Sequence, residues 1–356
     1  MQSPISLMNQ KVSTNVDKLA REGRPPWAIF AGLIKRVLIL GNGRLASQIV
    51  QLLKAKRTSR IIVVGYVGHE QSMASESLGM DMFLGSTSQL YEIVERHQVD
   101  SIVVCLENRR TALPVETLLD LKAMGSEVVD GHSLYEEEAG CLHIDSLRPS
   151  ALVFSTGFRK RMLTSSGKRL FDLAASAIGL VVAVPLFLLI GILIKLDSAG
   201  PVFYQQMRVG LRGQPYLIWK FRSMMNDAEK SGPRWAQAHD PRISRVGWWL
   251  RKTRLDELPQ LINVLKGEMS LVGPRPERPV FVQELRTQIP YYDIRHAVRP
   301  GITGWAQIRF RYGASAEDAH SKLQYDLYYV KNLSIALDAR ILLETIRVVL
   351  LGEGAR

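Results

Sequence analysis

Leu173-Ala-Ala-Ser-Ala-Ile-Gly-Leu-Val-Val-Ala-Val-Pro185-Leu-Phe-Leu-Leu-Ile-Gly-Ile-Leu-Ile194 contains no charged side chain. As a straight helix it would reach about 33 Å, enough to cross the hydrocarbon core of a bilayer. Two details argue against a simple crossing. Pro185 sits near the middle, where it removes a backbone donor and favours a bend. Cations flank both ends, Lys168 and Arg169 before the segment and Lys195, Arg208 and Arg212 after it. Lys and Arg collect on the cytoplasmic side of a membrane segment, so both flanks ask for one compartment. The expectation is a helical hairpin that enters the membrane, breaks at Pro185 and returns. A single spanning helix is the simpler alternative on hydropathy alone.

Upstream, apolar strands alternate with helical stretches. Arg36–Gly41 is a strand-type run, followed by Asn42-Gly43-Arg44-Leu45-Ala46 and a helical stretch to about Ala55. Ile61–Tyr66, Asp100–Leu106 and Glu127–Val129 read as further strands, with helices near Thr87–His97 and Val115–Met124 between them. This alternation predicts a parallel, doubly wound, Rossmann-like sheet. Gly41 and Gly43 fit the start of GxGxxG/A between strand and helix, where backbone can approach a pyrophosphate and a nucleotide could bind. The acidic residue that would hold a ribose hydroxyl is missing from the end of the second strand, which counts against NAD. Tyr216 and Lys220 form a YxxxK match, but it lies far beyond the glycines and past the apolar segment, so it reads as chance.

The chain has 356 residues, enough for about two domains. It carries a formal net charge of +12, which favours anionic partners such as phosphorylated metabolites or a membrane surface. No nucleic-acid-binding motif accompanies that charge. Cys105 and Cys141 form no CxxC pair, which excludes a zinc knuckle and a disulfide framework. The polar N-terminus lacks the apolar core of a secretory signal, and Pro26–Ile34 is too short to span a membrane. It reads as an interfacial anchor or the remnant of a last helix. Four regions follow: a tail with this anchor over residues 1–34, the sheet domain over 35–150, a linker over 151–165 and a final domain over 166–356. The final domain contains membrane segment 173–194 and ends in an amphipathic helix over Leu333–Leu351, stopped by Gly352.

The chemistry-bearing residues lie between Lys220 and Pro276. Lys220 and Arg222 stand two positions apart, on one side of an extended segment. Asp256 and Glu257 form an acid pair among Arg251, Lys252 and Arg254. Pro259 suits the start of a helix Gln260–Lys266, which Gly267 would terminate. The positive end of that helix would keep the acids ionised and favour a phosphate. Pro274 and Pro276 bracket Arg275, and a rigid backbone there can aim a guanidinium whose fork matches phosphate oxygens. Cations for a diphosphate, acids for a divalent metal and a carboxylate able to attack phosphorus are what phosphoryl transfer requires. Oxygen ligands point to Mg²⁺, held by Asp256 and Glu257. The bland reading of an isolated acid pair among basic residues is a solvated ion-pair face. The clustering of all these elements downstream of a lipid-facing segment argues against it.

In that order, Lys168-Arg-Leu-Phe-Asp172, the proline-containing apolar segment, Gly200-Pro-Val-Phe-Tyr204, Lys220-Phe-Arg-Ser-Met224, Leu255-Asp-Glu-Leu-Pro-Gln260, Leu271-Val-Gly-Pro-Arg-Pro276 and Arg299-Pro-Gly-Ile-Thr-Gly-Trp-Ala-Gln307 resemble the bacterial sugar transferase family, the monotopic polyprenyl-phosphate phosphoglycosyl transferases. The resemblance is dense over about residues 166–310, and closest to the large exopolysaccharide-initiating members with an upstream Rossmann-like domain. It implies an α/β protein whose second domain is a mainly α, membrane-associated catalytic unit with a re-entrant helix hairpin and amphipathic helices. It implies transfer of a sugar-1-phosphate, glucose or galactose, from a UDP-sugar to undecaprenyl phosphate at the cytoplasmic face of the bacterial inner membrane. Asp256 would be the nucleophile, forming an aspartyl-phosphosugar intermediate with release of UMP, and Glu257 would support it and the Mg²⁺. Lys220, Arg251 and Arg275 would line the phosphate site, and Pro274 and Pro276 would belong to the uridine end. Membrane lipid is a partner, nucleic acid is not, and a homodimer is plausible.

The sequence departs from the resemblance at two points. Larger members usually begin with transmembrane helices, and Val184 stands where small members often place Ser before the proline. Two other function classes compete: an NAD(P)-dependent sugar-nucleotide oxidoreductase or dehydratase using the glycine turn, and a non-catalytic membrane scaffold.

Overall fold

A computed structural model describes residues 34–56, 61–68, 80–106, 112–146, 149–155, 157–158, 162–225, 228, 240–310 and 315–350. The expected anchor Pro26–Leu33, the basic cluster Arg159–Arg161 of the expected linker, and Gly352 lie outside the described residues. The chain divides into two compact units, Met1–Arg148 and Pro149–Arg356.

The first unit is a five-stranded sheet in the order β3-β2-β1-β4-β5, with all pairings parallel. Its strands are β1 (Lys35–Leu40), β2 (Ile61–Val67), β3 (Phe83–Gly85), β4 (Ser101–Val104) and β5 (Glu127–Asp130). The helices are α1 (Arg44–Ala55), α2 (Leu90–Arg96), α3 (Val115–Ala123) and α4 (Gly131–Ala139). Both faces of β1 are buried, as a parallel sheet covered on two sides requires. Val37 and Ile39 pack with Leu45 and Ile49 of α1 and Leu134 of α4. Leu38 and Leu40 point the other way, toward Leu90 and Ile93 of α2 and Leu118 and Leu121 of α3. Each such side chain contributes roughly 1.5–3 kcal/mol by leaving water. The sequence reading located the longer elements but missed β3 and α4. β3 is three residues long, too short for a periodic signal. α4 contains Glu136-Glu-Glu138 and is held at its start by Asp130, which accepts from the amides of His132 and Ser133 at 2.8 and 3.3 Å.

The second unit begins with α5 (Pro149–Phe154), so part of the expected linker is helical. Then comes α6, Met162–Asp197, 36 residues long. The break expected at Pro185 is not an interruption of helical structure: α6 runs through it. A proline removes one hydrogen bond of the ladder, and the turns on either side retain theirs. The buried side chains of α6 form a narrow stripe at Asp172, Ser176, Ala183, Ile190 and Ile194. Val181, Val182, Leu188, Leu189 and Ile192 are exposed. A helix apolar all round must be covered by protein or by lipid, and the described residues cover only this stripe.

The remaining elements gather beside α6. Strands β6 (Phe203–Val209) and β7 (Pro215–Phe221) form an antiparallel hairpin. After α7 (Arg245–Lys252) come a 3₁₀ turn over Leu255–Glu257, α8 (Gln260–Lys266), β8 (Ser270–Val272) and α9 (Pro279–Gln288). A second 3₁₀ turn, Tyr292–Ala297, precedes β9 (Gly301–Thr303), α10 (Trp305–Arg309), α11 (Ala316–Lys331) and α12 (Ile335–Leu350). Gly273, Gly301 and Gly304 let β8 and β9 approach: a Cβ on Gly301 would lie 2.1 Å from the Gly273 nitrogen. On α12, Ile341 is buried while Leu343 and Ile346 are exposed, as an amphipathic helix requires.

Both ends of α6 are tied to this one unit. At its start, Lys168 donates to the Val272 carbonyl at 3.1 Å and pairs with Asp338 at 2.6 Å. Arg169 donates to the carbonyls of Val264 and Leu265 at the end of α8, at 2.6 and 2.9 Å. At its finish, Arg222 donates to the carbonyls of Ser198 and Ala199 at 2.6 and 2.8 Å. Lys168 and Arg169, read from the sequence as a basic flank of the apolar segment, also join elements of the fold.

Candidate active site

The acid pair sits on the 3₁₀ turn Leu255–Glu257, entered through Arg254 in the left-handed region at φ 56°. A side-chain-bearing residue held there costs on the order of 1–3 kcal/mol and marks a conformation imposed by its surroundings. Downstream, α8 starts after Pro259 and ends at Gly267, at φ 84°, as the residue pattern predicts. Asn263 fastens α8 to β7, accepting from the Trp219 amide at 3.0 Å and donating to the Leu217 carbonyl at 2.7 Å. Lys220, on the same strand, is thereby brought to the acid pair.

The two carboxylates are adjacent in sequence, equally buried at 7% exposure, and differently engaged. Glu257 accepts from Lys220 Nζ at 3.1 Å and from both terminal nitrogens of Arg275, at 2.5 and 3.3 Å. Burial pushes its carboxyl upward, but Arg275 and Lys220 outweigh burial and hold it well below the usual range. Asp256 makes no hydrogen bond or ion pair among the described residues. Burial raises its carboxyl above the ordinary value, against the pull of Lys220, with Glu257 adding to the rise and Arg251 and Arg275 opposing it. Within the pair, Glu257 is held by cations, whereas Asp256 is desolvated and makes no hydrogen bond or ion pair among the described residues.

Arg275 is aimed by its backbone. The carbonyls of Pro274, Arg275 and Pro276 accept from the Gly301 amide at 2.9 Å, Arg295 Nη2 at 2.9 Å and Arg208 Nη1 at 3.0 Å. Arg251 lies on α7, which docks through Leu250 on Ile190 and Ile194 of α6. Lys220, Arg251, Asp256, Glu257 and Arg275 thus come together, with Pro274 and Pro276 as the frame of the last. The buried guanidinium of Arg222 donates to the carbonyl end of α6, where a cation is favoured. Gly41 and Gly43 belong to the other unit. Gly41, at φ 118°, turns the chain where a Cβ would lie 2.9 Å from the Cys105 carbonyl, and Gly43 precedes α1.

Among the described residues no group of three or more His, Cys, Asp or Glu could hold a metal. Glu257 already faces two cations, a poor setting for a divalent ion. Of the expected pair, Asp256 would be left to hold one, since Mg²⁺ commonly takes one or two carboxylates and completes its shell with phosphate oxygens and water.

Sequence reading missed Arg208, Arg295 and Asp326. Arg295 stands close before the quoted motif that begins at Arg299, which is a weak signal. Asp326 looks like a surface acid of an amphipathic helix and gives none.

The bacterial sugar transferase family model matches residues 163–352. The chain is 50% identical over 189 residues to a UDP-N-acetylgalactosamine-undecaprenyl-phosphate N-acetylgalactosaminephosphotransferase of Aeromonas hydrophila, covering 53% of this chain and 45% of that one. It is 33% identical over 333 residues to an undecaprenyl-phosphate glucose phosphotransferase of Komagataeibacter xylinus, covering 91% and 60%. An exopolysaccharide production protein of Rhizobium leguminosarum bv. phaseoli is 44% identical over 188 residues, covering 50% and 92%. The chain spans about half the length of the first two relatives, 45% and 60%.

Proposed function

The chain belongs to the bacterial sugar transferase family, and we propose that it moves a sugar-1-phosphate from a UDP-sugar to undecaprenyl phosphate, initiating exopolysaccharide or related glycan assembly. The observation that carries this reading is the divided acid pair. Lys220 and Arg275 neutralise Glu257 and leave cationic groups where a diphosphate would lie. Asp256, beside them, makes no hydrogen bond or ion pair among the described residues, which leaves its oxygens available for attack on phosphorus.

In the first step an Asp256 carboxylate oxygen attacks the β-phosphorus of the donor. The bond from that phosphorus to the bridging oxygen breaks, and UMP leaves with its electron pair. The sugar phosphate is then esterified to Asp256. In the second step an oxygen of undecaprenyl phosphate attacks the same phosphorus and restores the carboxylate. Two half-reactions suit a polar donor and a lipid acceptor, because the two need not share the site. Arg275 and Lys220 stabilise the charge that develops on the phosphate oxygens, and Arg251 adds to the cationic field. Mg²⁺ bound by Asp256 and the donor would supply further charge neutralisation, with Glu257 joining only if its cations withdraw.

What supports a re-entrant path over a spanning one is that Arg169 and Arg222 tie opposite ends of α6 to the same polar unit. A polar unit joined to both ends favours placing both at one face, with α6 bending at Pro185, and we assign that face to the cytoplasmic side of the inner membrane. The parallel sheet unit is of Rossmann-like order and serves a structural or regulatory role. The relatives' names include both glucose and N-acetylgalactosamine, so the donor is a UDP-hexose or UDP-N-acetylhexosamine.

The test uses the full chain in detergent with Mg²⁺, undecaprenyl phosphate and a panel of UDP-glucose, UDP-galactose and UDP-N-acetylgalactosamine. One donor should release UMP, and Asp256→Asn should abolish release. Normal release by that variant would remove the nucleophile and favour a different reaction.

A further inference from the structure

Three successive carbonyls, of Pro274, Arg275 and Pro276, are each held by a donor from a different element. The middle donor, Arg295, is the most enclosed. Its side chain is 8% exposed and its partner Asp326 on α11 is 3% exposed, with 2.8 Å between Nη2 and Oδ2. The same Nη2 donates to the Arg275 carbonyl at 2.9 Å, and Nη1 donates to the Tyr292 hydroxyl at 2.6 Å. The guanidinium also lies 5.1 Å from the Tyr292 ring. A planar fork with fixed donor directions can satisfy all three acceptors at once, and a lysine cannot. Burying an arginine and a carboxylate is expensive even when they pair, so such a pair adds little to stability compared with apolar side chains. Its geometric effect is specific: it fixes the backbone atom from which Arg275 reaches Glu257.

We propose that Arg295 is a positioning residue, anchored by Asp326, that aims the Arg275 guanidinium at Glu257 and at the donor phosphates; this rests on the phosphoglycosyl transfer reading. A chain of contacts runs from Asp326 to Arg295, to the Arg275 carbonyl, to the Arg275 guanidinium and to Glu257. None of the first three groups needs to touch substrate for this role.

The proposal is tested with Arg295→Lys in the full-length protein, alone and combined with Arg275→Ala. Misplacement of a catalytic cation by a fraction of an ångström lowers turnover steeply, so Arg295→Lys should reduce kcat for UMP release about 10- to 100-fold. KM for the UDP-sugar should move less than about threefold, because ground-state binding is shared with Lys220 and Arg251. In the Arg275→Ala background the same substitution should cost less than about threefold, since its target is gone. Equal losses in both backgrounds, or no loss in either, overturn the proposal. Tyr292→Phe removes one acceptor of the fork without removing charge, and should reproduce a weaker form of the split if Arg295→Lys does not fold. Hydrogen exchange gives an arm independent of activity. Amides within residues 270–279 should exchange about tenfold faster in the variant, with the β6–β7 hairpin unchanged. Uniform acceleration, or none, counts against positioning. Should the wild type release no UMP from any donor, the functional reading falls, and the exchange arm alone decides whether Arg295 holds the loop.

Discussion

The two compact units are held together in different ways. In the first, among the described residues, the buried interior is almost wholly apolar, and only Ser47, Ser101 and His143 interrupt it. In the second, Asp172, Arg222, Asp256, Glu257, Asn263, Arg295, Asp326 and Asp338 are all buried. The sheet unit is stabilised by side chains that need only be apolar and of suitable size. The other unit has apolar clusters of its own, and its geometry is in addition specified by ties between named partners far apart in the chain, such as Lys168 with Asp338 and Arg275 with Glu257. Non-directional burial tolerates substitution of like for like. A buried charge requires its own counterpart, and leaves a large penalty when it lacks one.

The largest contrast should come from Asp256, the one buried acid without a tie among the described residues. Asp256→Asn should lower UMP release by at least about 10³-fold, in the range seen when a nucleophile is removed. Its melting midpoint should stay level or rise, because the substitution removes a desolvated charge; a drop of many degrees would show that Asp256 is structural instead. In the sheet unit, Leu38→Ala should cost about 2–5 kcal/mol in the unfolding of that unit, measured by denaturant titration. A cost below about 1 kcal/mol would mean that its core relaxes around the cavity.

A pH series separates the units further. Burial, the largest influence, pushes the Asp326 carboxyl up to about 6 against the pull of Arg295. The folded protein therefore binds that proton more tightly than the unfolded chain does. The stability attached to it is full below the ordinary value of 3.8 and is lost as pH rises to about 6. Asp326→Asn cannot titrate, so the wild type's advantage over the variant should shrink by up to about 3 kcal/mol between about pH 4 and pH 7. An advantage that grows over that window would refute the assignment. The smallest expected effect is at Arg222. Arg222→Gln should cost about 1–3 kcal/mol of stability through the carbonyls it leaves unpaired at the end of α6, with KM for the UDP-sugar unchanged. A KM raised tenfold would instead return Arg222 to the phosphate site.

Much of this architecture was legible beforehand wherever the determining information is local. The strands of the sheet appear as apolar runs between turn residues, and α8 is bounded by Pro259 and Gly267, whose backbone preferences act within one turn. The gathering of Asp256, Glu257, Lys220 and Arg275 was also within reach, because cations and acids of that density have little other use beside an apolar helix. The acceptors of Arg222, the carbonyls of Ser198 and Ala199, were not legible, because position along a strand says nothing about which acceptor a long side chain finds. The contacts of Lys168 and Arg169 were hidden for the same reason, as a basic flank looks alike whether it meets water or carbonyl oxygens.

Composition and spacing alone determined that the chain has a parallel sheet unit and a helix long and apolar enough for a bilayer. Those properties depend on neighbours a few residues apart, and solvent transfer acts on each side chain wherever it lies. Folding in three dimensions assigned the partners: Glu257 to Lys220 and Arg275, Arg295 to Asp326, Arg222 to the end of α6, and no partner among the described residues to Asp256. Ion pairing and hydrogen bonding reach only a few ångströms, so two carboxylates adjacent in the chain acquire opposite characters according to which distant groups the fold brings to each.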